Sequence, residues 1–288
     1  MSSKSASKIA SATLVCLSAA LGAGSVMAQS ATPAQALLDN QWVSNLGAFL
    51  LNSDLRASLN GESVENPEID FDETLGRDSD ATRVRGDVTW RITPTHRLRF
   101  GYFNHTTNRS KVVDREVNWG DLTFDVGAQV DSKHKLKVYE LSYEYAFMKQ
   151  PTYEVSASLG VHYSDTTLQL SGSATVTNPD GTTTNQTAAV KTSNIPAPLP
   201  VIGLRGGWAV SPNWYLEAAG QYFTLDYDGV DGSWSDLRAS ATWMFNRNFG
   251  LGLGYNRFTT RADASKNDFN GKLKAGYSGV QAFLTGTF

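Results

Sequence analysis

The residues best suited to catalysis in this chain are His162-Tyr163-Ser164-Asp165. On a β-strand His162 and Ser164 point to the same side, roughly 7 Å apart, so a small rotation would set a base beside a nucleophile. No orienting acid is evident at the right place, and a His-x-Ser pair by itself is a weak motif. A second group lies in 60–81, where Glu62, Glu65, Glu68, Asp70, Asp72, Glu73, Asp78 and Asp80 stand against a single Arg77. Clustered carboxylates can hold a divalent cation, but the D-x-D-x-D-G spacing with a distal Glu is missing. A solvated surface loop is the favoured reading. The third group is a set of arginines and carboxylates recurring at alternate positions, and its meaning depends on the elements that carry it.

Those elements are strands. From Trp42 onward apolar residues recur with period two, and the segments are bounded by Pro, Asn and Gly. Ten strands are expected, at 42–59, 82–93, 96–119, 122–147, 153–177, 187–210, 214–227, 233–245, 249–264 and 269–288. Alternate connections are tight, at 93–95, 148–152, 211–213 and 246–248. The others, at 60–81, around Gly120, and at 171–186, 228–232 and 265–268, read as longer and polar. Within the strands one face is apolar and the other small, polar or charged. Leu237, Ala239, Ala241 and Trp243 alternate with Asp236, Arg238, Ser240 and Thr242, for example. In 42–51 both faces are apolar, so parity leaves that strand undecided. The aromatic side chains sort by level. Trp90, Tyr153, Trp208, Trp214, Trp243, Phe249 and Phe288 lie on the apolar face at the tight-turn end, and Tyr102, Tyr139, Tyr163, Tyr222 and Tyr255 lie on it nearer the long loops. Trp214 and Tyr222 are separated by roughly 26 Å along a strand, or roughly 19 Å along the membrane normal at 45° tilt, which approaches the apolar band between two aromatic girdles. The fold class expected is an all-β, transmembrane, antiparallel up-and-down barrel of ten strands, with eight or twelve as alternatives.

The same parity sends Arg85, Asp87, Arg91, Arg97, Arg99, Glu140, Glu144, Glu154, Arg205, Glu217, Asp236 and Arg238 into the lumen, with Arg83 beside them. A ten-strand lumen is only slightly wider than one that side chains fill, so these charges are expected to cross it, pair and plug it. The alternative is a narrow pore whose selectivity they set. Gly250, Gly252 and Gly254 form an inward row that would make room for a large neighbour, Arg238 or an aromatic ring.

The net charge of −3 carries no nucleic-acid footprint, and the body of the chain has no apolar run long enough for a helical span. Residues 1–28 read as a signal peptide: Lys4 and Lys8 precede a short apolar core, and Val26-Met27-Ala28 has the form of a cleavage site. The single cysteine, Cys16, lies inside it, so the mature chain would have no disulfide and no thiolate metal site. Residues 29–41 read as a periplasmic linker and 42–288 as the barrel domain.

The last stretch, Gly276-Tyr-Ser-Gly-Val-Gln-Ala-Phe-Leu-Thr-Gly-Thr-Phe288, resembles the C-terminal signal strand of bacterial outer-membrane β-barrels. With 42–49, 199–206 and 250–257 it gives the chain the look of small proteobacterial outer-membrane barrel proteins, a family that supplies no reaction or ligand. The resemblance implies residence in the bacterial outer membrane, with outer-membrane lipid and lipopolysaccharide, the barrel-assembly machinery and periplasmic chaperones as partners. It implies no cofactor. The His162-x-Ser164 pair also resembles that of outer-membrane lipid A deacylases, but there the pair faces the membrane, whereas parity here turns it into the lumen. No motif of the ten-stranded outer-membrane proteases is found. The function expected is structural or surface-interacting through the outer loops, with a small-solute channel as the alternative and a lipid A-modifying enzyme less favoured.

Overall fold

The computed structural model describes residues 31–59, 69–75, 82–178, 180–227, 230–266 and 269–288. The elements are α1 (Ala36–Asp39), β1 (Trp42–Leu59), β2 (Ile69–Asp70), α2 (Phe71–Leu75), β3 (Thr82–Arg91), β4 (His96–Val112), β5 (Val117–Trp119), β6 (Leu122–Phe124), β7 (Gln129–Lys149), β8 (Tyr153–Thr177), β9 (Thr183–Ala209), β10 (Trp214–Tyr227), β11 (Val230–Met244), β12 (Phe249–Lys266) and β13 (Phe269–Thr287). Ten of these strands close into one antiparallel barrel in the order β8-β7-β4-β3-β1-β13-β12-β11-β10-β9, with β9 returning to β8. The last strand closes on the first from Val43↔Thr287 to Leu59↔Gly271. Trp42 and Phe288 exchange both backbone hydrogen bonds, at 2.8 and 2.9 Å.

The period-two pattern decides which face looks out. Leu251, Leu253, Tyr255, Leu284 and Val280 lie exposed on the outside, while Gly252, Asn256, Thr285 and Phe283 are buried within. In β1, where both faces are apolar, Leu46 and Leu50 are 62% and 81% exposed and Phe49 is 6% exposed, so the even-numbered residues form the outer face. Trp42 joins the aromatic residues at the tight-turn end and stacks on Trp90, with centroids 5.6 Å apart.

Two connections differ from the sequence reading. Strand β10 runs to Tyr227 and β11 starts at Val230; β12 runs to Lys266 and β13 starts at Phe269. Of the segments expected as loops, 230–232 and 265–266 are therefore strand, since register pairs such as Asp231↔Asp226 and Ser265↔Asn270 extend the hairpins, and 228–229 and 267–268 lie outside the described residues. Likewise β9 begins at Thr183 rather than 187, and in the turn before it Asp180 accepts from the Thr182 hydroxyl and N–H, which holds its carboxyl below the usual range. Residues 113–128 fold as a small hairpin, β5–β6, which pairs with the far end of β8.

Pairing around the barrel is not continuous at the end away from the tight turns. Between β1 and β3 it stops at Ala48↔Val84, and between β9 and β10 at Tyr222↔Ile202. Just beyond Ile202 the chain reads Ile195-Pro-Ala-Pro-Leu-Pro200, three prolines at one parity. Proline donates no backbone hydrogen bond and is confined to strand edges. Since β9 stays paired with β8 through all three, the missing donors belong to the edge facing β10. This end thus divides into two groups of strands, β3-β4-β7-β8-β9 and β10-β11-β12-β13-β1.

Inside, apolar and polar layers alternate. The tight-turn mouth holds α1, with Ala34, Leu37 and Leu38 packed on Ala209, Tyr215 and Met244. Ala34, Ala36, Leu37 and Leu38, within the stretch 29–41 read from sequence as a linker, are thereby buried in this mouth. Lys149 and Arg91 donate to the carbonyls of Leu38 and Leu37 at the helix end. Next comes the charged layer, then an aromatic layer around Phe49, Phe103, Trp234, Phe258 and Tyr277. Above that is a polar layer with His105, His134 and Thr166, all buried. At the far end Ile69, Phe71, Trp119 and Phe124 from the short elements cover Leu55, Leu168, Leu170 and Leu273. Phe71 meets Trp119 edge-on at 5.9 Å.

The inward glycine row is explained by close packing. A Cβ on Gly252 would lie 2.1 Å from the ring of Phe283, so the aromatic ring, not Arg238, takes the space. A Cβ on Gly250 would strike Met244 Sδ at 2.6 Å. Overpacking of this kind typically costs about 1–3 kcal/mol. Gly252→Val is expected to lower the temperature at which the folded band is lost on unboiled gels. Phe283→Ala in the same chain should remove most of that loss, and no recovery would show that the ring is not the obstacle.

Candidate functional site

The charged layer is the most elaborate cluster among the described residues. All twelve charges assigned to the lumen by parity sit on the inner face, and they balance as six guanidinium groups and six carboxylates. They form two neutral groups. In the smaller, Arg85 Nη2 donates to Glu140 Oε1 at 2.9 Å and Arg85 Nη1 lies 3.8 Å from Asp236. Arg238 completes it at 3.5 Å from both Glu140 and Asp236. In the larger, Arg205 spans Glu144 at 2.8 Å and Glu217 at 3.0 Å. Arg97 joins Glu144 at 3.3 Å and also contacts Glu154, which meets Arg91 at 3.2 Å. Arg99 links Asp87 at 3.1 Å with Glu217 at 3.8 Å.

Register explains how such long side chains fit. Four of them are placed beside an inward glycine: Arg85 opposite Gly47, Glu140 opposite Gly101, and Glu154 and Glu217 opposite Gly207. A Cβ on Gly101 would come within 2.8 Å of Glu140 Oε2. Between this layer and α1 a void of about 40 Å³ remains, lined among others by Leu37, Asn45, Arg91, Arg205 and Thr285. Small-molecule sites run to about 300 Å³ or more, so this one holds no solute of that class.

The aromatic layer was not singled out from the sequence. Rings cross the lumen in contact: Phe103 and Tyr277 at 5.0 Å, Tyr277 and Phe258 at 4.8 Å, Phe258 and Trp234 at 4.3 Å. The chain ends on His162, whose ring is 5.2 Å from Trp234. The signal for it was present. Phe103 and Trp234 each share the parity of a lumen charge two or more positions away, so they had to point inward.

His162 is fully buried, and neither ring nitrogen has a hydrogen-bond partner. Ser164 Oγ lies 3.5 Å from Thr166 Oγ1. Base and nucleophile are thus on one face, as the spacing required, but are not joined, and both look into the packed interior. Of the acidic segment, only 69–75 is described. There Asp70 meets Arg56 at 3.2 Å and Glu73 lies 3.9 Å from Arg115. Glu62, Glu65, Glu68, Asp78 and Asp80 lie outside the described residues, and nothing can be added to their reading.

The seven aromatic residues assigned to the tight-turn girdle all sit on the outer face. Trp208, Trp214, Trp243, Phe249 and Phe288 are exposed, and Trp90 and Tyr153 are half-buried. At the other level Tyr102, Tyr139 and Tyr163 form a row across β4, β7 and β8, with centroids 5.3 and 6.4 Å apart.

Breaking a buried ion pair by removing one partner costs about 3–5 kcal/mol, because a charge is left uncompensated. Glu140→Leu is therefore expected to lower unfolding free energy in urea by about that amount. Arg85→Met with Glu140→Leu leaves the neutral pair Arg238–Asp236 and should regain more than half of the loss. A double variant as unstable as the single one would mean that the layer does not act as charge-balanced groups.

No protein-family model matches the chain, and no curated protein matches it. Solved structures do. The outer-membrane protease OmpT from Escherichia coli is similar, with a TM-score of 0.56 at 12% identity over 87% of this chain and 97% of that one. The Ralstonia pickettii toluene transporter TbuX gives a TM-score of 0.38 at 13% identity, over 89% and 92% of the two chains. Neisserial surface protein A gives 0.30 at 14% identity, over 86% and 97%. At such identities the likeness is one of fold, and the first carries it. With a closed ten-strand barrel, an outward apolar band and two aromatic levels, the chain has the fold of the small outer-membrane β-barrels.

Proposed function

We propose that this protein is a closed-lumen barrel of the bacterial outer membrane that acts at the cell surface through the part that projects from the membrane. The observation that carries the reading is the filling of the lumen from end to end: α1 in one mouth, a neutral charged layer, a layer of touching rings, and an apolar cap at the other mouth. Such a barrel is a poor conduit. It is instead a rigid post. From Tyr163 to its end at Thr177, β8 runs on for roughly 45 Å along the strand, or roughly 30 Å along the normal at 45° tilt. That length far exceeds what a membrane anchor needs, and the cap gives it a core of its own.

In this reading the tight turns are periplasmic and the long strands point outward. Residues 1–28 direct export and are removed, chaperones carry the chain, and the assembly machinery recognises the strand ending at Phe288. The protein is not an enzyme in this reading: His162 and Ser164 are sealed from lipid and solvent alike. Purified folded protein in planar bilayers is expected to give no ion-selective openings, and stepwise openings that persist with pure protein would overturn the closed lumen. The mature chain should begin at Gln29 by mass and move faster unboiled than boiled; identical migration in a soluble fraction would remove the membrane reading altogether.

A further inference from the structure

Outside the lumen, the charge pattern of the outer wall is uneven. On β7 the outward positions beyond Tyr139 are Lys137, Lys135 and Lys133, at period two, with Lys133 exposed and the other two half-buried. Their cross-strand neighbours on β4 are Asn104, Thr106 and Asn108. On β8 they are Asp165, Thr167 and Gln169. One carboxylate, Asp165, thus lies across from three ammonium groups, and a second, Asp131, follows Lys133 along β7. Like charges on adjacent outward positions disfavour the folded wall unless something anionic lies against them.

The ladder stands directly on the tyrosine row. Tyr102, Tyr139 and Tyr163 are in register, and the next outward row is Asn104, Lys137 and Asp165. One step between outward residues is roughly 7 Å along the strand, or roughly 5 Å along the normal, so the three lysines cover the first roughly 5 to 15 Å above the girdle. Tyrosine rings at that girdle mark the edge of the apolar band. The opposite wall differs. There Arg56 is bridged by Asp70 at 3.2 Å and Lys272 by Asp263 at 3.4 Å, while Arg257 and Arg261 stand above the single ring of Tyr255, whose neighbours are Ala239 and Val280, so no tyrosine row lies beneath them.

We propose that Lys133, Lys135 and Lys137 hold the phosphates of an outer-leaflet glycolipid, lipopolysaccharide, whose sugars rest on the Tyr102–Tyr139–Tyr163 row. The level selects this occupant. A protein partner would approach the cap, whereas a phosphorylated headgroup with its acyl chains in the apolar band lies where the lysines are. Long ammonium side chains suit it as mobile point charges. The inference rests on the outer-membrane reading above, and heat-modifiable migration of each variant tells a failure of that reading from a failure of this one.

The test is a two-by-two comparison in detergent micelles by native mass spectrometry. The wild-type protein and the variant K133Q/K135Q/K137Q are each titrated with bis-phosphorylated lipid A and with chemically dephosphorylated lipid A. At about a factor of five per lysine, the triple variant should bind the phosphorylated form roughly a hundredfold more weakly. Dephosphorylation should weaken the wild type by a similar factor and leave the variant unchanged. R257Q/R261Q, on the opposite wall, should bind as the wild type does. A triple variant that binds phosphorylated lipid A as tightly as the wild type would overturn the proposal. So would equal losses in both double and triple variants, since that pattern marks attraction by net charge and not a site.

Discussion

The constraint on which everything else depends is that a backbone inside a lipid bilayer must satisfy its own hydrogen bonds. The chain meets it by joining β13 to β1 along their whole common length, down to the reciprocal bonds of Trp42 and Phe288. The constraint holds only inside the apolar band, and pairing follows that limit. Tyr222↔Ile202, the last pair between β9 and β10, lies on the outer tyrosine level, and the prolines begin immediately above it. Ala48↔Val84, where β1 and β3 part, lies next to Leu50 and Val280, the last exposed apolar pair of their strands. Above the band water can take over the open edges, so the two strand groups are free to separate. The prolines then keep the edge of β9 from recruiting another strand.

Closing the backbone creates a second problem, the lumen. Ten strands enclose a space slightly too wide for two walls of ordinary side chains to fill. Long residues reach across it only if their neighbours are small, which is why Arg85 faces Gly47 and Phe283 lies over Gly252. Burying twelve charges is costly, and a wholly apolar filling of equal volume would often be as stable. Yet an apolar lumen would make both faces of each strand alike, and a one-residue slip in register would then go almost unopposed. Charges that are neutral only as two complete groups penalise such a slip heavily. The layer sets register as much as it fills space.

Much of this was legible in the sequence, and the reasons for the remainder are physical. Parity gave the faces of nine strands, the lumen charges and the aromatic levels, because lipid outside and charge inside produce a strong alternation. In β1 that contrast vanishes: Leu46 and Leu50 face out while Phe49 belongs to the inner aromatic layer, and period two cannot rank two apolar faces. At the outer strand ends the alternation fades, so 183–186 and 230–232 read as loop although they are paired. The four-residue α1 is too short to show a helical period, and its apolar Leu37 and Leu38 mean little without the mouth they fill. Which rings meet across the lumen depends on the stagger of distant strands, a quantity no local pattern contains. His162 shows the limit for function: spacing placed it beside Ser164 correctly, but the ring of Trp234, far away in sequence, is what it packs against.

A barrel sealed at both mouths leaves only its outer surfaces for chemistry with other molecules. The apolar band is committed to lipid, and the tight-turn end is reduced to short turns and a helix held by its own carbonyls. What remains is the cap and the polar wall between cap and girdle. The wall is the more constrained of the two, since every side chain on it is fixed by barrel register and cannot move with a loop. Charges left unmatched there are therefore held unmatched by the same ladders that close the barrel. On β7 the register that pairs Glu140 with Gly101 inside also sets Lys137 between Asn104 and Asp165 outside. A slip of this register would break the inner pairs. The inner layer thus holds the outer wall in a charge pattern that the protein alone would not favour.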